Sequence, residues 1–172
     1  KITGLLKSYR YLSAREIEGC KLIETLTGVQ VPSVLDPVFL LKPDVWRQMA
    51  KSVALKDKKF ILCYALIGTD KQMKTANEIK KRTGLPVVMV THTVYPKTNA
   101  DVTINFAGPQ EFLWLFDNAS YVVTDSFHGT AFSIVFEKPF NSLIVFKEKA
   151  GRITNLLAKL NLESRLIDQD YN

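Results

Sequence analysis

The chain has 172 residues, 47% hydrophobic and 23% charged, with eight Gly and seven Pro; these globular values exclude a disordered, collagen-like or repeat-fibre protein. The net charge of +6 is accounted for by residues 51–82, where nine Lys or Arg meet only Asp57, Asp70 and Glu78, so it describes one window rather than the whole surface. Two distant cysteines, Cys20 and Cys63, exclude a disulfide framework and a Cys-based zinc site, and the longest nearly uncharged run, 60–68, is too short to span a bilayer.

Ser13 is placed to cap a first helix over 14–26, with Glu16 three residues on and Ile17, Cys20, Leu22, Ile23 and Leu26 on one face. Thr27-Gly28 ends it, 29–35 reads as a short strand, and Asp36-Pro37 breaks the regular structure. A short helix or ordered connector over 43–54 carries Trp46. From Lys59 the pattern becomes regular. Apolar strands are predicted at 60–67, 85–91, 102–106, 121–124 and 142–146, with a looser segment at 95–100. Helices are predicted at 71–82, 109–118, 127–136 and 152–160, the second turning Phe112, Leu113, Leu115 and Phe116 inward. Strands without polar alternation belong to a sheet covered on both faces, and their alternation with helices indicates parallel βαβ units. The predicted fold is therefore α/β, a doubly wound parallel sheet.

In such sheets ligands bind beyond the carboxyl ends of the strands. Thr124-Asp125-Ser126-Phe127-His128-Gly129-Thr130 is a polar knot between an apolar strand and an apolar helix. His128 falls in the first helical turn, among backbone N–H groups that favour an anion, and Gly129 lets a ligand approach the backbone. Ordinary helix capping by Asp125 and Ser126 explains the same residues. Gly108-Pro109-Gln110-Glu111 opens another helix, where the dipole favours Glu111 whatever its function. Arg15, at a helix start, opposes the dipole; a phosphate or carboxylate ligand would account for it, and so would pairing with Glu16 or another acid. His92 follows a strand, but no neighbour in sequence completes a site. The 51–82 window reads as a solvated helix face whose charge would also suit peripheral contact with an anionic membrane. Without a recognised module or basic–aromatic interleaving, no nucleic-acid partner is expected.

The chain opens at Lys1 inside an apolar and basic segment, with no signal-peptide core before Tyr9, and is read as part of a longer protein. Both cysteines are expected to be buried thiols, in keeping with a reducing cytoplasm.

Several strings then carry a resemblance. Gly108-Pro109-Gln110-Glu111-Phe112, Asn118-Ala119, Val122 through Thr130 with its Ser-Phe-His-Gly block, and Glu137-Lys138-Pro139-Phe140 resemble the polysaccharide pyruvyl transferase family. So do Ser13-Ala14-Arg15-Glu16 with Gly19, and Val34-Leu35-Asp36-Pro37, with Ala14 standing where a valine is more usual. The match runs from about Leu12 to Arg165.

The resemblance implies a two-domain, GT-B-like enzyme with the active site between its domains. Residues 1–45 would be the tail of the N-terminal domain plus an Asp-Pro connector, and 46–172 a Rossmann-like C-terminal domain. It implies transfer of the pyruvyl unit of phosphoenolpyruvate to hydroxyls of a surface polysaccharide or its precursor, lipid-linked or not, forming a ketal. Phosphoenolpyruvate is the donor substrate; no further cofactor and no metal are expected. His128, Arg15 and Arg152 are the implied catalytic residues. Ser126, Gly129, Thr130, Glu111 and Lys138 are the expected substrate-binding residues. Two other readings stand beside it, a GT-B-type glycosyltransferase using a nucleotide-sugar and a non-catalytic phosphate- or sugar-binding module. A cytoplasmic, membrane-peripheral setting suits either enzyme.

Overall fold

A computed structural model describes residues 1–56, 59–68, 70–92, 99–145 and 150–167. Six parallel strands, β1 (Ile61–Ala65), β2 (Val87–Thr91), β3 (Val102–Asn105), β4 (Tyr121–Thr124), β5 (Phe140–Leu143) and β6 (Leu166–Ile167), lie in the order β3-β2-β1-β4-β5-β6. This is the Rossmann order, in which the chain reverses its direction of travel across the sheet between β1 and β4. The α/β doubly wound fold read from the sequence is what the chain adopts.

The β1 side chains alternate between two cores. Leu62 and Tyr64 face a cluster formed with Leu113, Leu115 and Phe116 of α5 (Pro109–Asn118), Phe127, Ala131, Phe132 and Val135 of α6 (Phe127–Val135), and Ile153, Leu156 and Leu157 of α7 (Ala150–Lys159). Ile61, Cys63 and Ala65 face α4 (Asp70–Thr83), which supplies Ala76. Burying both faces removes water from every β1 side chain, which is why the strand carries no polar alternation. Burial, with the charge of Asp125 adding, pushes the Cys63 thiol up to about 12. At the reversal point the buried Gln72 of α4 donates to the carbonyls of Tyr64 in β1 and Val123 in β4. It thereby satisfies backbone acceptors on both strands that flank the opening.

Upstream of the sheet lie α1 (Ile2–Lys7), α2 (Ile17–Thr27), a 3-10 turn at Pro37–Leu40 and α3 (Pro43–Met49). The connector packs on the helical face of the sheet: Val38 and Phe39 join its core, and Trp46 sits edge-on to Phe132 at 5.1 Å between ring centroids. Two predicted elements change here. The expected strand at 29–35 is reduced to one parallel bridge between Ala14 and Ser33. The α2 helix starts at Ile17 with Glu16 as its N-cap and no side-chain cap, so Ser13 does not cap it. Its apolar face remains largely exposed at Ile17, Leu22 and Leu26, and Cys20 is half-buried rather than buried. Downstream, the fifth strand begins at Phe140 instead of Ser142 because Val122 pairs with Phe140 across the sheet. The end of its predicted range, and most of the looser 95–100 segment, fall outside the described residues.

Candidate active site

The carboxyl ends of β1 and β4 carry the polar knot. Asp125 Oδ1 accepts the Leu66 N–H at 2.8 Å, and Oδ2 accepts those of Ile67 and Gly68 at 3.0 and 3.2 Å. The carboxylate thus ties the loop after β1 to the start of α6, and Gly68 takes the left-handed conformation the loop requires (φ 74°).

Ser126 caps α6, its Oγ accepting the Gly129 N–H at 3.2 Å, while its own N–H donates to Thr124 Oγ1 at 3.1 Å. Thr130, buried, donates to the Ser126 carbonyl and shares a 2.7 Å hydrogen bond with Ser142 of β5. A Cβ on Gly129 would lie 2.3 Å from Thr124 Oγ1, so glycine is needed for α6 to approach β4. Ser126, Gly129 and Thr130 are therefore buried and engaged in holding the helix start. The side chains expected to bind substrate, Ser126 and Thr130, are thus turned into the domain, with Gly129 between them.

His128, by contrast, is exposed on the first turn of α6. The Phe127 and His128 amides are the first two of the helix and have no partner among the described residues, leaving donors at the positive end of the dipole.

Arg15 reaches this corner from the extended segment before α2. Its guanidinium donates to Asp36 and to Glu16, the latter at 3.1 Å, and lies 4.7 Å from the centroid of the Phe127 ring. The acid pairing weighed from sequence is thus present, and it also holds the arginine beside α6. Hydrogen bonding to Asp36 raises the Arg15 pKa; burial works against this and Glu16 adds to it. Burial pushes the Asp36 carboxyl up. The Val38 N–H at 3.0 Å, Arg15 and the charge of His128 outweigh burial, so the pKa lies below its ordinary 3.8.

Arg152, exposed on the first turn of α7, has no ion pair among the described residues. It borders a cavity of about 200 Å³ together with Leu66, Ile67, Asp125 and Phe127. It also borders the narrow cleft lined by Arg15, Asp36, Phe127 and Lys159. The fold thus brings Arg15, Arg152 and His128 to one rim. A larger concavity of about 580 Å³ is lined by Lys74, Asn77, Glu78, Lys80, Lys81 and Gly84, all from α4 or just beyond it. No strand end contributes to it.

Two expected residues do not join the rim. Glu111 accepts the Gly108 N–H at 2.8 Å and so satisfies a backbone donor at the start of α5. Lys138 lies in the turn between α6 and β5, beyond the end of α6 opposite to His128, with its N–H on the Ser133 carbonyl. A nine-residue helix separates those ends by about 13 Å, which takes Lys138 out of reach of a small ligand at His128. Sequence reasoning in turn gave no site role to Asp36 or Phe127. An acid before a proline and an aromatic residue inside an apolar helix look structural until the arginine that meets both is placed.

An open parallel sheet with cations and a helix start at its reversal point defines a Rossmann-like domain with a cationic rim. The family model for polysaccharide pyruvyl transferase matches residues 1–144, and the chain belongs to that family. No curated protein sequence matches it. Among solved structures it is similar to the UDP-GlcNAc 2-epimerase from Methanocaldococcus jannaschii, with 15% identity, TM-score 0.47, and coverage of 76% of this chain and 39% of that one. It is also similar to the wall teichoic acid polymerase TagF, with 13% identity, TM-score 0.42, and coverage of 84% and 41%. The chain spans about two fifths of the length of these structures.

Proposed function

We propose that the chain forms the donor-binding part of a pyruvyl transferase that takes phosphoenolpyruvate and builds a pyruvate ketal on a polysaccharide or its precursor. The observation that carries this reading is the convergence of Arg15, Arg152 and His128 on one rim above the β1–β4 reversal point. Phosphoenolpyruvate presents a phosphate and a carboxylate. Two guanidinium groups and the free amides of α6 match those two anions. Arg15 is already braced by Asp36, Glu16 and the Phe127 ring, so little ordering is required of it when substrate arrives.

The chemistry then follows from the substrate. A proton delivered to C3 turns the methylene into a methyl group and leaves a cation at C2, to which a sugar hydroxyl adds and loses its proton. Phosphate leaves with the C2–O bond, and a second hydroxyl adds at C2 to close the ketal. The two protons released by the hydroxyls balance the one on C3 and one on phosphate. His128, exposed beside the helix start, can deliver the C3 proton or bind the departing phosphate. In this reading residues 1–45 belong to a preceding domain and its connector, and the second face of a GT-B-like cleft comes from outside 46–172. The enzyme works in the cytoplasm at the membrane periphery.

Calorimetric titration of phosphoenolpyruvate, with UDP-glucose in parallel, tests the proposal. Saturable phosphoenolpyruvate binding is expected, weakened by about 1.5–3 kcal/mol in His128→Ala and in Arg152→Ala, the scale of hydrogen bonds to charged groups. Binding of UDP-glucose without phosphoenolpyruvate would overturn it in favour of glycosyl transfer.

A further inference from the structure

The carboxyl ends of β2 and β3 hold a second group, chemically unlike the first. Tyr64 is wedged against Phe112 and Phe116, with ring centroids at 5.1 and 5.5 Å. Its hydroxyl meets His92 Nε2 at 3.2 Å, and the two rings stand perpendicular at 5.9 Å. His92 in turn is 6.4 Å from the Phe106 ring, tilted by 58°, so these two rings form an open corner rather than a packed stack. Phe106 is 58% exposed.

Phe106 also holds a left-handed backbone, φ 59°, which a bulky residue adopts at a cost. The residue therefore carries two penalties, backbone strain and an aromatic face in water, while its N–H donates to the Thr91 carbonyl at 3.0 Å. Strain of this kind concentrates at ligand clamps, so an observed outlier points outward to function.

We propose that Phe106, His92 and Tyr64 form a carbohydrate subsite, in which one pyranose ring of the acceptor stacks on Phe106 while a hydroxyl hydrogen-bonds to His92. The apolar C–H face of a pyranose suits the π face of an aromatic ring, and its hydroxyl edge needs a fixed polar partner. Burial holds the Tyr64 phenol above its ordinary pKa, with the charge of Asp125 adding, so the hydroxyl stays protonated beside His92. The Tyr64 hydroxyl and His92 Nε2 share this hydrogen bond, which leaves Nδ1 as the ring nitrogen for a sugar hydroxyl. Anchoring runs from the core outward through Tyr64, so His92 is positioned before the sugar binds.

This subsite rests on the reading that the acceptor is a polysaccharide, and it deepens it. The end of β3 lies three strand spacings from the end of β4, about 14 Å across the sheet. A sugar on Phe106 is therefore not the one receiving the pyruvyl unit at His128 but a neighbour along the same chain. The enzyme would accordingly favour an oligosaccharide over a monosaccharide.

Saturation-transfer NMR of the chain with cellobiose, lactose and N,N′-diacetylchitobiose tests the subsite. At least one disaccharide should show saturation of its ring protons, with binding weakened about tenfold in Phe106→Ala and about fivefold in His92→Ala. Phe106→Gly should weaken binding as much while leaving the thermal midpoint unchanged or raised, because glycine takes φ 59° without strain. Absence of saturation with all three sugars, undiminished binding in Phe106→Ala, or a lowered midpoint in Phe106→Gly would overturn the proposal. The phosphoenolpyruvate titration reads the other reading separately. Sugar binding without phosphoenolpyruvate binding would leave the subsite standing and remove the donor, and the reverse would remove only the subsite.

Discussion

Two histidines stand at carboxyl ends of the same sheet, and their surroundings could hardly differ more. His128 follows β4 beside Arg15, Asp36 and Arg152, over a helix start whose polar groups are hydrogen-bonded inward. His92 follows β2 among Tyr64 and Phe106, with one hydrogen bond to a phenol. The first end is charged, braced by ion pairs and suited to an anion. The second is aromatic, open and suited to a neutral ring with hydroxyls. A histidine at a strand end therefore has no fixed meaning; its neighbours across the sheet assign it one.

The hardest way to break this contrast is to disturb the packing beneath His128. Gly129→Ala would place a methyl 2.3 Å from Thr124 Oγ1, and is expected to cost about 3 kcal/mol in a urea denaturation series. Adding Thr124→Ala should recover part of that loss by removing the atoms the methyl meets. Recovery by the double variant would show that Gly129 serves helix–strand approach.

A smaller effect is expected from the charge that braces Arg15. Asp36 is buried, but the Arg15 side chain keeps 33% of its surface in water, so Asp36→Asn should cost about 1–2 kcal/mol at neutral pH, less than a fully buried pair. The sign with pH follows from the lowered carboxyl. Its stabilisation is complete above the ordinary 3.8 and is lost as pH falls through the depressed native value. The difference between wild type and Asp36→Asn should therefore shrink in acid, read as converging denaturation midpoints. A gap that widens in acid would contradict the ion pair.

Tyr64→Phe should do least, removing one partly buried 3.2 Å hydrogen bond at about 0.5–1 kcal/mol while leaving the aromatic packing in place. Its readout is the His92 ring resonances, which should shift and broaden as the imidazole loses its anchor. A cost equal to that of Asp36→Asn would mean that the His92 end bears structural load, and the two ends would differ less than their chemistry implies.

Much of this molecule was legible before its tertiary structure. Continuous apolar runs at 60–67 and 121–124 marked strands buried on both faces, and Pro109 and Ser126 marked helix starts that fall where expected. The Ser-Phe-His-Gly block pointed to His128, and the family model bears out the resemblance that block carried. The misreadings share a cause. At 29–35 and Ser13, local pattern fitted a strand and a cap, but a strand needs a partner row and a cap needs the helix to begin beside it. Lys138 and Thr130 stand close to His128 in the string, but the fold sets the first beyond the far end of α6 and buries the second against Ser142.

Sequence by itself determined the alternation of strands and helices, because backbone preference and apolar spacing act over a few residues. Tertiary structure alone decided that β4 lies against β1, that Arg15 and Arg152 line one cleft with Phe127, and that Asp36 braces one of those arginines. Those outcomes depend on the handedness of crossovers and on charges meeting across long stretches of chain, which no local pattern encodes. The exposed, strained Phe106 belongs to the same class, since only the fold reveals that a ring which could have been buried was left facing the strand ends.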